Sequence, residues 1–476
     1  MKKKLLLAFL CLLLASMMVL ACACDKDKKD ETQTTASTDD EETGDTSLYA
    51  DLPTDKINRE LTALSPNEYL SSWVQEGMDG DPISEIVYER TLEFEEKYDA
   101  VINTIMTDSW YDNLSNAYLG GGGVYDLLYP HPQGAIVTAM TSGMLTNLTE
   151  LNTLSLDSPW YNQSQVQNYK TNNKLYLAVS DSSITGQGFF ALVYNRDLYQ
   201  TLGYEENIHT LVMDGEWTME KFAQMLAETA SFADGTEDQT YGLCFNELAT
   251  ARWLYAGGET ILVKNEDTGL FSKGLNSNNM VKIATNLYNI VYNSGNTVSD
   301  SYPNSGIPTS KVWLTFNAGR GLFATWDVGS CYSYLREVSF KRGYAPLPKV
   351  DEDQSDYKVV CASAFYAIPA LSENAEESAL LLEYFSIYGY EKIKPAFFTT
   401  ILGGRLSGDP EDYEMLEFLH SKKFFDFGFT LDSESEVLNL LKTSVVTNKA
   451  PGGIAVLLAT NVNTIKNLVD TANQID

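Results

Sequence analysis

From residue 48 onward, short apolar runs alternate with stretches whose apolar residues recur at helical spacing, and that alternation predicts an α/β fold. Residues 60–64 read as a strand. Asp81 caps a helix over 82–98, with Pro82 at its first position and Ile83, Ile86, Val87, Phe94 and Tyr98 on one face. A strand over 100–104 and a helix over 109–118 follow. The glycines at 120–123 then predict a turn into a strand over 124–128. The best-formed helix covers 219–232: Thr218 caps it, Trp217 staples onto Phe222, and Phe222, Met225 and Leu226 form its apolar stripe. Residues 374–388 read as another helix, with Asn374 as cap, Glu377 reaching back and Gly389 as its stop. From Pro410 the pattern is mostly helical, broken at Gly452-Gly453, with a last helix from Ile454. No internal repeat is visible.

The chain opens differently. Lys2, Lys3 and Lys4 precede an apolar run over 5–20 that closes on Val19-Leu20-Ala21-Cys22, the layout of a secretory signal and too short for a membrane-spanning helix of ~20 apolar residues. The four residues ending in Cys22 are similar to a bacterial lipobox, which implies a signal peptide over 1–21, a lipidated Cys22 and attachment to the outer face of the cytoplasmic membrane. Residues 25–47 carry no aliphatic side chain larger than alanine and no aromatic one. They predict a disordered acidic tether, so that 22–47 is lipidated cysteine plus linker.

The formal charge of −32 argues against nucleic acid or an anionic lipid surface as a partner, because phosphate binding needs clustered lysine and arginine. It also disfavours a strongly anionic ligand unless a local basic pocket overrides it. Cys24, Cys244, Cys331 and Cys361 are scattered, with no CxxC pair, and Cys244, Cys331 and Cys361 lie in apolar runs as buried thiols would; whether any pair is left open. The aromatic content of 12%, with 28 Tyr, leaves rings for a core or for a ligand surface.

Five segments in order resemble the family 1 extracellular solute-binding proteins, the maltodextrin-binding-like group serving sugar ABC importers. They are Gly123-Val124-Tyr125-Asp126-Leu127-Leu128 with Ser142-Gly143-Met144-Leu145; Pro159-Trp160 ahead of Asn173-Lys174-Leu175-Tyr176; and Val193-Tyr194-Asn195-Arg196-Asp197-Leu198 with Leu202-Gly203 and Gly215-Glu216-Trp217-Thr218. The fourth runs from Tyr241-Gly242-Leu243 and Ala256-Gly257-Gly258 to Phe316-Asn317-Ala318-Gly319-Arg320. The fifth is Gly343-Tyr344-Ala345-Pro346-Leu347-Pro348-Lys349 with Gln354 and Tyr357. The resemblance spans roughly residues 80 to 390. It departs at 234–238, where a calcium-like loop of many relatives is reduced to Asp234-Gly235-Thr236-Glu237-Asp238; the spaced ligands are missing, so no metal is expected.

The resemblance implies a type II, periplasmic-binding-protein-like architecture: lobe 1 from 48–186 plus 361–403, lobe 2 from 187–360 plus 404–476, and a ligand cleft between lobes joined by crossing strands near 185–188 and 359–363. It implies a monomeric, non-enzymatic, cofactor-free receptor that hands a small solute, a mono- or oligosaccharide, to ABC permease subunits. A sugar site wants aromatic platforms and planar polar groups. Trp326 and Asp327 with Tyr332, together with Trp253 and Trp160, are the expected platform group; Tyr129, His131 and Gln133 follow a strand at the edge where ligands gather, and Asn246 and Glu247 would take hydroxyls. Each tryptophan has a core position as its alternative, and Trp110, Trp217 and Trp313 are assigned to the core. The same fold binding a peptide, polyamine or other metabolite, an exported carbohydrate-active enzyme using two carboxylates, and an adhesive surface lipoprotein are the other readings. No GxSxG, HExxH or P-loop motif supports the enzyme.

Overall fold

Asp81 starts the helix Pro82–Tyr98 as its chemistry requires, accepting hydrogen bonds from the backbone N–H groups of Ile83 (3.0 Å) and Ser84 (3.2 Å). Ile83, Val87, Phe94 and Tyr98 are buried, and Ile86 is half-buried. The computed structural model describes residues 47–66, 73–75, 77–78, 80–184, 187–232, 234–236, 238–301, 309–328, 338–361, 363–399 and 410–475. Its strands are β1 (Glu60–Ser65), β2 (Val101–Met106), β3 (Leu127–Leu128), β4 (Phe190–Asn195), β5 (Tyr241–Asn246), β6 (Leu262–Lys264), β7 (Phe271–Lys273), β8 (Thr297–Asp300), β9 (Gly321–Asp327), β10 (Arg342–Ala345), β11 (Val359–Val360) and β12 (Lys423–Phe424).

The first sheet has the order β2-β1-β3 and is parallel throughout, with Glu60 opposite Val101 and Ala63 opposite Leu127. The strand expected over 124–128 shrinks to β3. Just before it, the Asp126 carboxylate accepts from Arg59 (2.8 Å) and from the N–H of Thr62 (2.8 Å), while its own N–H donates to the Thr62 carbonyl (2.8 Å). Arg59 also takes Glu377 (2.6 Å), which therefore does not reach back to cap its own helix; Asn374 caps Ala375–Tyr388 through the N–H of Glu376 (3.2 Å). That helix belongs to a return segment bridging Leu128 to Ala367 and Ala178 to Tyr366, and its Phe385 ring packs edge-on against Phe94 at 5.7 Å. Gly389 does not stop the helix. Its φ of −62° is helical and the chain continues as a π-helical turn, Gly389–Ile393. Glycine is needed there for close packing, since a Cβ would stand 2.0 Å from the carbonyl oxygen of Asp181.

The second sheet has the order β10-β4-β9-β5-β8. β4 runs antiparallel to β10 and β9, while β9, β5 and β8 are mutually parallel. Thr218 caps the helix Met219–Glu228 through the N–H of Lys221 (3.2 Å), and the Trp217 and Phe222 rings meet at 5.5 Å, as the staple requires. The α-helix is shorter than its pattern: Thr229 bonds back to the Leu226 carbonyl (2.6 Å), and the turn tightens to 3₁₀ over Thr229–Phe232. Trp217 Nε1 donates to the Pro346 carbonyl (2.9 Å) and Thr218 bridges to Lys349, so two of the segments quoted above are one packing unit. β6 and β7 form a hairpin, and β11 pairs with β12. Cys244 and Cys361 are buried free thiols, both raised by burial, Cys361 to about 12; Cys24 and Cys331 lie outside the described residues. Asp234 closes its short loop on itself, accepting from the Thr236 N–H (2.8 Å) and hydroxyl (2.7 Å). Among the described residues no helix is long and apolar enough to cross a membrane.

Candidate functional site

Parallel strands align their carboxyl ends, and both sheets use this. Ser65, Met106 and Leu128 end the first sheet on one edge, with Tyr129, Pro130 and His131 beyond it. Asn246, Asp300 and Asp327 end β5, β8 and β9 on one edge of the second, where Phe190, opening β4, lies opposite Asp327. The two connections between the sheets touch, the Cys361 thiol donating to the Gly188 carbonyl (3.5 Å). Polar contacts tie residues 133–171 to the C-terminal segment: Gln133 Nε2 donates to the carbonyls of Phe429 (2.9 Å) and Asp432 (3.0 Å), Asn168 to Phe425 (2.9 Å), and Thr171 to Ala472 (2.7 Å). Tyr169 shares a hydrogen bond with Thr430 at 2.9 Å.

A buried charge network lies beside the connections. Gln187 donates to Asp181 (2.8 Å), which also receives Lys394 (3.1 Å), so the Gln187 oxygen faces His420 Nε2 at 3.1 Å and that nitrogen donates. Lys423 Nζ is 3.4 Å from the same nitrogen, and Phe189 and Phe398 enclose the ring. Burial, then Lys423 and Lys394, push the His420 imidazole well below 6.5. The unfolded chain then takes up a proton near pH 6.5 that the folded chain refuses. Stability contributed by the neutral ring is complete above 6.5 and is lost as pH falls below it, at about 1.4 kcal/mol per pH unit. His420→Gln should therefore lose less stability than the parent between pH 7.5 and 6 in thermal melts; equal losses would remove His420 from that window.

No family model matches the sequence, and no curated protein matches it. Among solved structures, an ABC substrate-binding protein of Listeria monocytogenes in complex with cycloalternan is similar over 88% of this chain and 98% of its own, at 14% identity and a TM-score of 0.55. A solute-binding protein from Thermotoga lettingae bound with α-D-tagatose aligns over 86% and 99%, at 15% identity and TM-score 0.56. UgpB from Mycobacterium tuberculosis, in complex with glycerophosphocholine, aligns over 81% and 95%, at 17% identity and TM-score 0.57. This chain has the two-lobed fold of the ABC-transporter solute-binding proteins. In that fold the ligand cleft lies between the lobes.

The tryptophans expected to face that cleft are used by the lobes themselves. Trp326 is inside β9, not at its end, 3% exposed, with Trp313 at 5.1 Å and Phe316 at 6.1 Å. Trp253 is fully buried and stacks on Phe222 at 6.2 Å. Trp160 donates Nε1 to Glu383 (3.0 Å), which also receives the Tyr161 hydroxyl (2.7 Å). Tyr129 is buried, stacked on Tyr366 at 4.7 Å and bonded to Ser183 (2.8 Å). Aromatic rings are the largest apolar area available to a core, and these four are spent there. The polar residues stay near the edges. His131 is exposed, with Nδ1 accepting from the Gln133 N–H (3.2 Å); Gln133 is tied to the Phe429 and Asp432 carbonyls; Asn246 caps a 3₁₀ turn through the Leu248 N–H (3.0 Å); and Glu247 begins that turn. Asp327 is half-buried at the end of β9. Tyr332 and Cys22 lie outside the described residues. The residue missed from the sequence is Arg252, on the helix Thr250–Ala256 that follows β5. Its half-buried side chain sits over the Phe190 ring at 4.3 Å. Its only signal was a lone cation in an apolar helix.

Proposed function

We propose that this chain is an extracytoplasmic receptor that captures a small solute, a carbohydrate or carbohydrate-like molecule, in the cleft between its lobes and delivers it to an ABC permease. One observation carries the reading: the carboxyl ends of two parallel-strand systems, where ligands of open α/β sheets gather, lie on either side of adjacent chain crossings. The solved relatives of this fold are binding proteins, several of them holding saccharides, which favours capture over catalysis. In this proposal lobe 1 is 48–186 with 361–403 and lobe 2 is 187–360 with 404–476. The lobes hinge at the crossings, and polar contacts such as Gln133 to Phe429 close them. The protein works as a monomer without cofactor. Cys22 carries the lipid and residues 23–47 the tether, which keeps the binder near its transporter so that local concentration substitutes for strong docking.

A calorimetric screen of mono- and oligosaccharides together with their acidic derivatives tests the reading, paired with solution scattering of free and bound protein. The expected result is one saturable class of ligand and a decrease in radius of gyration on binding. A protein that binds nothing in the screen, or that releases product from an oligosaccharide it binds, would refute it.

A further inference from the structure

Arg252 stands at the cleft edge of lobe 2, with the Asp327 carboxylate near enough to favour its charge but not bonded to it. It makes no hydrogen bond or ion pair among the described residues, and of its three nitrogens only Nε is sealed from solvent. Its surroundings are the Phe190 ring at 4.3 Å and the Phe429 ring at 5.9 Å. Phe190 is the register partner of Asp327 at the carboxyl edge of the second sheet, and the Phe429 carbonyl is the group that lobe 1 reaches through Gln133. The guanidinium is therefore placed where the second sheet ends and the first lobe arrives. Asp327, Tyr255 and Cys361 are near enough to favour its charge, yet burial outweighs them and lowers the Arg252 pKa.

A guanidinium does not neutralise itself by losing a proton, so a half-buried one needs acceptors. Two ring faces supply attraction but no hydrogen-bond acceptor, and the attraction is smaller than the cost of desolvating the ion. Beside the crossings Lys394 is engaged by Asp181, and Arg196, at the opposite end of β4 from Phe190, by Asp412 at 2.6 Å. Arg252 alone among these has two outer nitrogens, in a planar fork that fits a carboxylate or phosphoryl group, and no partner for them.

We propose that Arg252 recognises an anionic group of the solute, so that the natural ligand is acidic: a uronate-type sugar or oligosaccharide, or a phosphorylated one. This deepens the receptor reading and rests on it. The overall charge of −32 does not oppose it, because a buried site is governed by its near neighbours and distant surface charge is screened beyond about 8 Å at physiological salt.

Calorimetry on the purified protein with matched pairs separates the outcomes: galacturonate and glucuronate, as monomers and oligomers, against their methyl esters, and hexose phosphates against the parent hexoses. The expected result is that one acidic series binds and that its neutral counterpart binds about a hundredfold more weakly. Arg252→Gln should erase the difference and Arg252→Lys retain part of it. Whether uronates or phosphates bind distinguishes the two sources of charge. Equal affinity for acid and ester, or an acid affinity unchanged within about threefold in Arg252→Gln, overturns the proposal. If only neutral sugars bind, the receptor reading stands and the anionic ligand falls; if nothing binds, both fall. Should Arg252→Gln fail to fold, the acid and ester pair on the parent protein decides alone.

Discussion

Replacing Trp326 by alanine should cost the folded body about 3–5 kcal/mol, the range for deleting a fully packed large aromatic. The residue occupies β9 between its neighbours β4 and β5, pairs in register with Ala191, and fills the space against Trp313 and Phe316. Both flanking rings are anchored on the helix Lys311–Asn317, which cannot move inward without dragging its own contacts, so the cavity would stay largely open. Trp326→Phe is the informative companion. The indole N–H has no acceptor among the described residues, so losing it removes an unsatisfied donor, and the smaller ring should cost only about 1–2 kcal/mol. Urea denaturation should show both variants with a lowered midpoint and an unchanged slope. An alanine variant as stable as the parent, yet weakened for its solute, would instead return Trp326 to the ligand surface.

The second large effect is expected at Asp426, a carboxylate 3% exposed at the start of the helix Phe427–Leu431. It accepts hydrogen bonds from the N–H groups of Ile261 (2.7 Å) and Gly428 (2.9 Å) and, at 3.5 Å, of Leu262, so it ties the segment leading into β6 to the helix whose Phe429 carbonyl receives Gln133. Burial pushes its pKa up to about 6 in spite of these donors. Two terms oppose each other in Asp426→Ala. Removing a charge held at neutral pH relieves about 3 kcal/mol. Stranding two or three buried N–H groups costs about 1–3 kcal/mol each, and a packing loss adds to it. The second term wins, and a net loss of about 3 kcal/mol is expected at pH 7. The pH dependence is diagnostic. A folded pKa above the unfolded one means that the parent gains stability as pH falls from about 6 toward 3.8, while Asp426→Ala should lack that gain. A variant with the parent's slope would assign the titration elsewhere.

Local rules were legible where local chemistry decides. Asp81 and Thr218 cap the helices their sequence positions predict, and Trp217 packs on Phe222, because each needs only its own neighbours within a turn. Where a side chain had a distant partner, the local reading failed. Glu377 had the right spacing for a capping box and went to Arg59 instead, since a guanidinium shared with Asp126 offers a charged bond and the backbone N–H a neutral one. Gly389 looked like a helix stop and is a packing glycine, because the Asp181 carbonyl that requires it lies far away in sequence.

The site divides the same way. Strand order along the chain placed Tyr129, His131 and Gln133 after one carboxyl edge and Asp327 at the end of another strand, and β3 and β9 end just there. Burial separated the polar residues from the aromatic ones. Trp160, Trp253 and Trp326 are indistinguishable from platforms in sequence, and packing takes all three inside. The residues carrying the family resemblance, such as Asp126, Trp217 and Lys349, hold the scaffold together. A motif of that kind reports the fold more than the ligand.

By itself the sequence determined the α/β class, the helix starts and the residues that could not be buried without partners, because periodicity, capping and charge are properties of neighbours along the chain. Only the tertiary structure decided which rings became core and which cation was left unanswered. Arg252 is unremarkable between Ala251 and Trp253. Its meaning comes from Phe190 and Phe429, brought beside it by folding, with no acceptor among the described residues in reach of its outer nitrogens.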